Sequence, residues 1–335
     1  METKIYHDED ADLNVLKGKK IAVIGYGAQG RAQALCFRDS GLDVTVGVRE
    51  NGPSWKKAKE DGGMTVTTMD KAVKDADVVL ILTPDETQPD VYKQYVEPNL
   101  KEGAALDFAH GFAITYKLIV PPKNVDVIMM APKAPGDAER QQFVEGFGVP
   151  ALIVVHQDFT GNAKKIALAL AKGLGATRAG TFEVDNFDYE TKSDLFGEQA
   201  VECGGLSKLI QSGYQTLVDN GFPPIVAYFE CDHECKLIID LITSGGFTYM
   251  WNVCSNTAKY GGLTRRDRVI NDKSIEGMKE IYREIDAGEF KTEWRQEWAN
   301  GLVNLHKMMD AESKKDIEKT GAMVRSLFQR KAAKN

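Results

Sequence analysis

No apolar stretch in this 335-residue chain reaches the roughly 18 residues that a membrane-spanning helix needs, so no membrane segment is expected. The opening segment METKIYHDEDADLN is acidic and lacks a basic stretch followed by an apolar run, so no secretory leader is expected either. Cysteine is scarce: five residues, at positions 36, 203, 231, 235 and 254, an odd number with no CxxC spacing. That pattern excludes a disulfide framework and a zinc ribbon, and it fits free thiols in a reducing cytoplasm. Positive charge is not in excess. Lys and Arg number 42 against 49 Asp and Glu, a formal net charge of −7, so a broad nucleic-acid surface is not expected. Internal repeats and low-complexity linkers are also missing. What remains, 43% hydrophobic and 27% charged residues, is the composition of a globular protein with room for two domains.

The two halves read differently. Between Lys20 and Phe182, short β-branched runs alternate with helical patterns: KIAVIG (20–25), DVTVGV (43–48), DVVLIL (77–82), GAALDF (103–108), VDVIMM (125–130), ALIVVH (151–156) and TRAGTF (177–182). Nearly continuous apolar runs are what a parallel sheet buried on both faces requires. The fold class expected is α/β, with a doubly wound, Rossmann-type N-terminal domain over 1–183. After Glu183 the strand signal stops. Helical periodicity over 194–219, 225–243, 271–287 and 290–309 predicts an all-α C-terminal domain over 184–329. Breaks are expected at Gly204-Gly205, Pro223-Pro224, Gly245-Gly246 and Gly261-Gly262, and fraying in the basic tail at 330–335.

Gly25-Tyr26-Gly27-Ala28-Gln29-Gly30 follows the first of those strands and opens a helix. In a dinucleotide fold, Gly25 permits the tight turn, Gly27 the approach of a diphosphate, and Gly30 the packing of helix on strand. The helix N-terminus then offers N–H groups to the phosphates. The next strand ends at Arg49, followed by Glu50, Asn51, Gly52 and Ser54. Arginine at that tip suits a ribose 2′-phosphate, whereas Glu50 opposes one. NADP(H) is favoured, and NAD(H) or dual use stays open.

Asp194 and Glu198, and again Glu230 and Glu234, are spaced i,i+4 and so share a helix face. Like charges at that spacing destabilise an isolated helix by about 0.2–0.5 kcal/mol. The face of Glu230 and Glu234 continues through Leu237, Ile238 and Leu241, an apolar stripe. Two explanations stand side by side: solvated helix faces, or oxygen ligands for Mg²⁺ that relieve the cost of burial. His110 and Lys133 each follow a strand, where ligands of open α/β sheets bind, yet each also fits a packed or solvated loop side chain. Ser255 reads equally as a helix N-cap.

The segments GYGAQGRAQA, ILTPDETQPDVY, FAHGF, MMAPKAPG, EGFGVPALI, SDLFGEQAVECGG, AYFECDHECKLIIDLI and SNTAKYG, in this order, resemble the short, class I ketol-acid reductoisomerases from about Lys17 to Met323. The resemblance implies Mg²⁺-promoted alkyl migration in 2-acetolactate or 2-aceto-2-hydroxybutyrate, then reduction by NAD(P)H to a 2,3-dihydroxy acid of valine and isoleucine biosynthesis. It implies two Mg²⁺ per site, with Asp194 bridging, Glu198 completing the first ion's ligands and aiding proton transfer, and Glu230 and Glu234 serving the second from a partner subunit. It makes His110 and Lys133 catalytic, Ser255 a substrate contact, Gly136 a further cofactor contact, and the enzyme at least a homodimer with shared sites. The chain departs from the family pattern at Ala28, Arg31, Ala134 and Asp137 and in the loop RENGPS, and at no metal position.

Overall fold

The computed structural model describes residues 3–328. Residues 329–335, which include the tail expected to fray, lie outside them. The chain divides between Ser193 and Asp194 into two compact units.

The first unit is built on nine strands: β1 Lys4–Tyr6, β2 Lys20–Ile24, β3 Asp43–Gly47, β4 Thr65–Thr67, β5 Val78–Ile81, β6 Ala105–Phe108, β7 Asp126–Pro132, β8 Ala151–Gln157 and β9 Thr181–Glu183. They stand in the order β1-β9-β8-β7-β6-β5-β2-β3-β4. The order turns around between β2 and β5, both parallel to their neighbours, which is the switch point of a dinucleotide-type sheet. Both faces are covered. Ile21 and Val23 of β2 enter one apolar cluster, and Ala22 and Ile24 enter another. Burial on both sides explains why these strands read as unbroken apolar runs.

The central strands are parallel, as their apolar runs suggested, and two antiparallel pairs make the sheet mixed. β8 runs antiparallel to β7, with Pro132 opposite Ala151, and β1 runs antiparallel to β9. The connection from β7 passes through the helix Gly136–Val144 and returns to the end of the sheet it left, where Lys133 N–H donates to Pro150 C=O at 2.8 Å. Apolar content carries no strand direction, so the sequence could not distinguish the two senses. Two short strands, β1 and β4, carry too few apolar residues to register. In TRAGTF, Ala176–Ala179 is a helical turn and only the last two residues join β9.

The second unit is helical. Its longer helices are Ser207–Asp219, Glu234–Val253, Asn256–Val269, Asp272–Ala287, Glu289–Ala299, Val303–Ser313 and Asp316–Phe328. Pro223-Pro224 does separate two helices. Gly204-Gly205 does not: the π-helical stretch Gly197–Leu206 runs through it. A Cβ on either glycine would collide with the carbonyl five residues back, on Gln199 or Ala200. These glycines therefore allow the wide turn that they were expected to end. Gly246, at φ 80° and ψ 173°, is non-helical and divides Glu234–Val253 at a kink, so the break expected at Gly245-Gly246 is present, whereas Gly261-Gly262 lies inside Asn256–Val269. The expected helix 290–309 is broken at Asn300-Gly301, where Gly301 takes φ 77°.

The core of this unit is small, formed by Tyr214, Ala227, Tyr228, Ile317 and Val324. Large apolar side chains stay outside it, including Leu237 at 53% exposure and Phe247 at 68%. Among the described residues no helix is long and apolar enough to cross a membrane.

Candidate active site

The glycine loop lies between the carboxyl end of β2 and α1 (Ala28–Asp39). Gly25 takes φ 102°, and a Cβ there would stand 2.8 Å from Leu82 C=O at the end of β5. Only glycine suits both constraints. A Cβ on Gly30 would collide with Gly25 C=O, so helix and loop meet backbone to backbone. A Cβ on Gly27, by contrast, meets nothing within 4 Å: the space beside it is open. The first N–H groups of α1 are those a helix start leaves without intrahelical acceptors, the donors an anion finds at such a site. Gln29 Nε2 donates to Ala134 C=O at 2.9 Å, and Gly136 packs against the backbone of Ala28. Gly136 thus has a packing reason of its own.

Beyond β3, Arg49 and Glu50 are exposed in a turn closed by Gly52 N–H donating to Arg49 C=O at 3.1 Å. Asn51 in that turn takes φ 60°. Ser54 stands in the first turn of α2 (Pro53–Asp61). Tyr26 points away from the loop: it is 4% exposed, and its hydroxyl donates to Asp61 Oδ2 at 2.9 Å. Burial and that carboxylate push the phenol pKa up.

His110 follows β6 and Lys133 follows β7, so adjacent strands deliver them to the same end of the sheet. The structure brings them together through a third residue, Glu190, on the helix Phe187–Phe196. Lys133 Nζ donates to Glu190 Oε1 at 2.8 Å, His110 Nδ1 stands 3.1 Å from Oε2, and Gly111 N–H donates to Oε2 at 3.0 Å. The Glu190 side chain is 2% exposed. Burial alone would raise its pKa, but the hydrogen bond and charge of His110 and the ammonium of Lys133 hold it at about 2. Asp85 adds a carboxylate 3.8 Å from His110 Nε2. The arrangement fixes the ring of His110 and the position of the Lys133 ammonium from below. Sequence reasoning missed Glu190, although the four-residue spacing of Asp194 and Glu198 extends back to it by one turn.

Asp194 is half-buried near the end of the same helix, and Glu198 is exposed on the π-helical stretch that follows. Glu230 is exposed on a second π-helical stretch, Phe229–His233, and Glu234 begins the helix after it. Both carboxylate pairs therefore straddle junctions between α- and π-helical turns, a feature frequent at functional sites. The stripe expected to bury Glu230 and Glu234 is itself open in one chain, with Leu237 53% and Ile238 38% exposed. Among the described residues, no three of these four acids gather into one ligand sphere within a chain. Ser255 is exposed and caps the helix Asn256–Val269, accepting from Ala258 N–H at 3.2 Å.

Residues 15–180 match the family model described as acetohydroxy acid isomeroreductase, NADPH-binding domain, and residues 187–330 match ketol-acid reductoisomerase, C-terminal domain. The chain is 51% identical to the ketol-acid reductoisomerase (NADP(+)) of Pyrococcus abyssi, over 97% of this chain and 97% of that one. It is 53% identical to the ketol-acid reductoisomerase (NADP(+)) of Pyrobaculum calidifontis, over 97% of this chain and 98% of that one. Among solved structures it is similar to an NADH-preferring ketol-acid reductoisomerase from an uncultured archaeon, with 48% identity and a TM-score of 0.94, covering 98% of this chain and all of the other.

Proposed function

The chain belongs to the ketol-acid reductoisomerase family, NAD(P)H-dependent oxidoreductases of branched-chain amino acid biosynthesis, and on that premise we propose which of its residues carry the reaction and how. The substrate is 2-acetolactate or 2-aceto-2-hydroxybutyrate. A methyl or ethyl group migrates to the neighbouring carbon, and the resulting 2-keto acid is reduced to the 2,3-dihydroxy acid.

Asp194, Glu198, Glu230 and Glu234 would hold two Mg²⁺ ions, with Asp194 shared between them. The donors fit: all are carboxylate oxygens, the ligand type that favours a hard cation, and their four negative charges offset two divalent ions. When bound, the ions supply Lewis acidity to the ketone and the adjacent hydroxyl, and the dinucleotide supplies the hydride. Glu198 takes part in proton transfer. Lys133 and His110, oriented by Glu190, provide the hydrogen-bond network of the reaction centre, and Ser255 binds substrate. The observation that carries the metal assignment is the placement of both acid pairs at α–π junctions, with Asp194 also in reach of the Glu190 carboxylate and the His110 ring.

The N-terminal domain, 1–183, binds the dinucleotide through Gly25, Tyr26, Gly27, Ala28, Gln29, Gly30 and Gly136, Tyr26 by its backbone since its hydroxyl is turned to Asp61. Arg49 and Ser54 face the ribose end. Arg49 favours NADP(H), and the exposed Glu50 beside it gives NADH a foothold, so use of both is the proposal. The C-terminal domain, 184–329, binds metal and substrate and pairs with a second copy. Support for the pairing comes from the open apolar face of Glu234–Val253, a surface of the kind that marks protein contacts. Glu230, Glu234 and Ser255 then complete the partner's site. The cytoplasm is the proposed compartment.

A matched kinetic comparison tests this reading: 2-acetolactate with NADPH and with NADH, each in Mg²⁺. Turnover with both, faster at low NADPH, is expected. Exclusive use of NADH would overturn the role given to Arg49.

A further inference from the structure

The C-terminal end of α2 is held against the glycine loop by polar contacts on one carboxylate. Arg31, in the first turn of α1, donates to Asp61 through Nε and Nη2, both at 2.7 Å. Tyr26 Oη donates to the same group at 2.9 Å. The Arg31 guanidinium, then the Tyr26 hydroxyl, hold the Asp61 pKa below the usual carboxylate range against the opposing effect of burial. Arg38, two turns further along α1, donates to the carbonyls of Asp61 and Gly62 at 2.9 and 3.0 Å.

Little else holds α2. Ala58 is its one fully buried residue, and Trp55 is packed half-buried against the core. A helix of nine residues does not persist by propensity alone. The polar contacts at its C-terminal end therefore decide where α2 lies. Its N-terminal end begins directly after the turn Arg49–Gly52. A rigid helix transmits a displacement at one end to the other, and Asp61 at the last position of α2 stands nine residues from Gly52, which closes the Arg49–Gly52 turn. The bidentate pair also turns Arg31, the cation nearest the glycine loop in sequence, toward α2.

We infer that Asp61 is a positioning residue for the dinucleotide: through Arg31 and Tyr26 it sets the spacing between the loop that receives the diphosphate and the loop that receives the adenosine ribose. The inference rests on the nucleotide-binding role given to the first unit.

The test uses the full-length chain with Mg²⁺, the Asp61→Asn and Arg31→Gln variants and their double, with NADPH and NADH as probes. Dissociation constants are read by nicotinamide fluorescence and kcat at saturating dinucleotide. Asp61→Asn weakens both dinucleotides about tenfold, the scale of one charge-assisted hydrogen bond, and leaves kcat within about twofold. Asp61→Glu recovers most of the affinity, and the double variant binds no worse than either single one, because the two residues act as a unit. Should Asp61→Asn fail to fold, Tyr26→Phe removes a single hydrogen bond and weakens both dinucleotides about threefold. Unchanged affinity with a lower melting temperature overturns the inference and leaves a purely structural contact. Tighter binding also overturns it, since Asp61 would then be withholding Arg31 from the phosphates. If the unsubstituted chain binds neither dinucleotide, the nucleotide-binding role itself fails, and this is seen before any variant is compared.

Discussion

Glu190 is a carboxylate almost out of reach of water that remains charged, because the Lys133 ammonium, the His110 ring and a backbone N–H converge on it. Its pKa in the folded chain, about 2, lies below that of an unfolded glutamate. The stability it adds is therefore present above the unfolded value, near ~4.3, and is lost as pH falls toward 2. Glu190→Gln removes the charge and leaves Lys133 and His110 without their common partner. Steady-state kinetics should show kcat lower by about 10²-fold with dinucleotide affinity little changed. Glu139 presents the opposite case. It is 1% exposed on the helix Gly136–Val144, its carboxyl oxygens have no hydrogen-bond partner among the described residues, and burial raises its pKa to about 8. The pH-dependent part of the cost of burying it is absent below the unfolded pKa, grows as pH rises, and is complete above about 8. Glu139→Leu should stabilise the chain by about 1–3 kcal/mol at pH 8 and by much less at pH 5, measured by urea unfolding at both. At this scale the positions of His110 and Lys133 were legible, since both follow predicted strands. Glu190 and Asp61 were not. Their meaning comes from partners 79 and 30 residues away, which no local pattern reveals.

Among the elements, the glycine-rich helix breaks show what periodicity misses. Gly204-Gly205 was expected to end a helix and instead gives a π-helical turn the room it needs, beside Glu198. A glycine pair looks the same in sequence whether it stops a helix or widens it. Gly246 differs again: at φ 80°, with open space around its Cα, it is required for backbone conformation alone. Gly246→Ala should therefore cost about 1–2 kcal/mol in chemical unfolding, with no steric contribution. The central parallel strands were legible because burial on both faces leaves a continuous apolar run. β1 and β4, three residues each, and the reversal of β8 were not, because edge strands and strand direction leave no such mark.

Across the whole molecule, the N-terminal nucleotide fold and the helical C-terminal unit were visible in the change of pattern near residue 183. The apolar stripe that follows Glu234 was also visible, and Leu237 and Ile238 stand open on it. If, as proposed, one chain supplies Asp194 and Glu198 and its partner Glu230 and Glu234, hybrids of two inactive variants regain complete sites. Refolding Asp194→Asn together with Glu230→Gln should restore measurable turnover, while each alone stays inactive. The proposed two-metal site makes a narrower demand on Asp194. The measurement that bears on it most directly is NADPH oxidation with 2-acetolactate by the unsubstituted chain and by Asp194→Asn, each in Mg²⁺ and after chelation, with NADPH binding followed in parallel. Turnover only in the unsubstituted chain with Mg²⁺, alongside near-equal NADPH affinity in both proteins, is the expected result. Turnover that survives chelation, or near-normal turnover by Asp194→Asn, would contradict it.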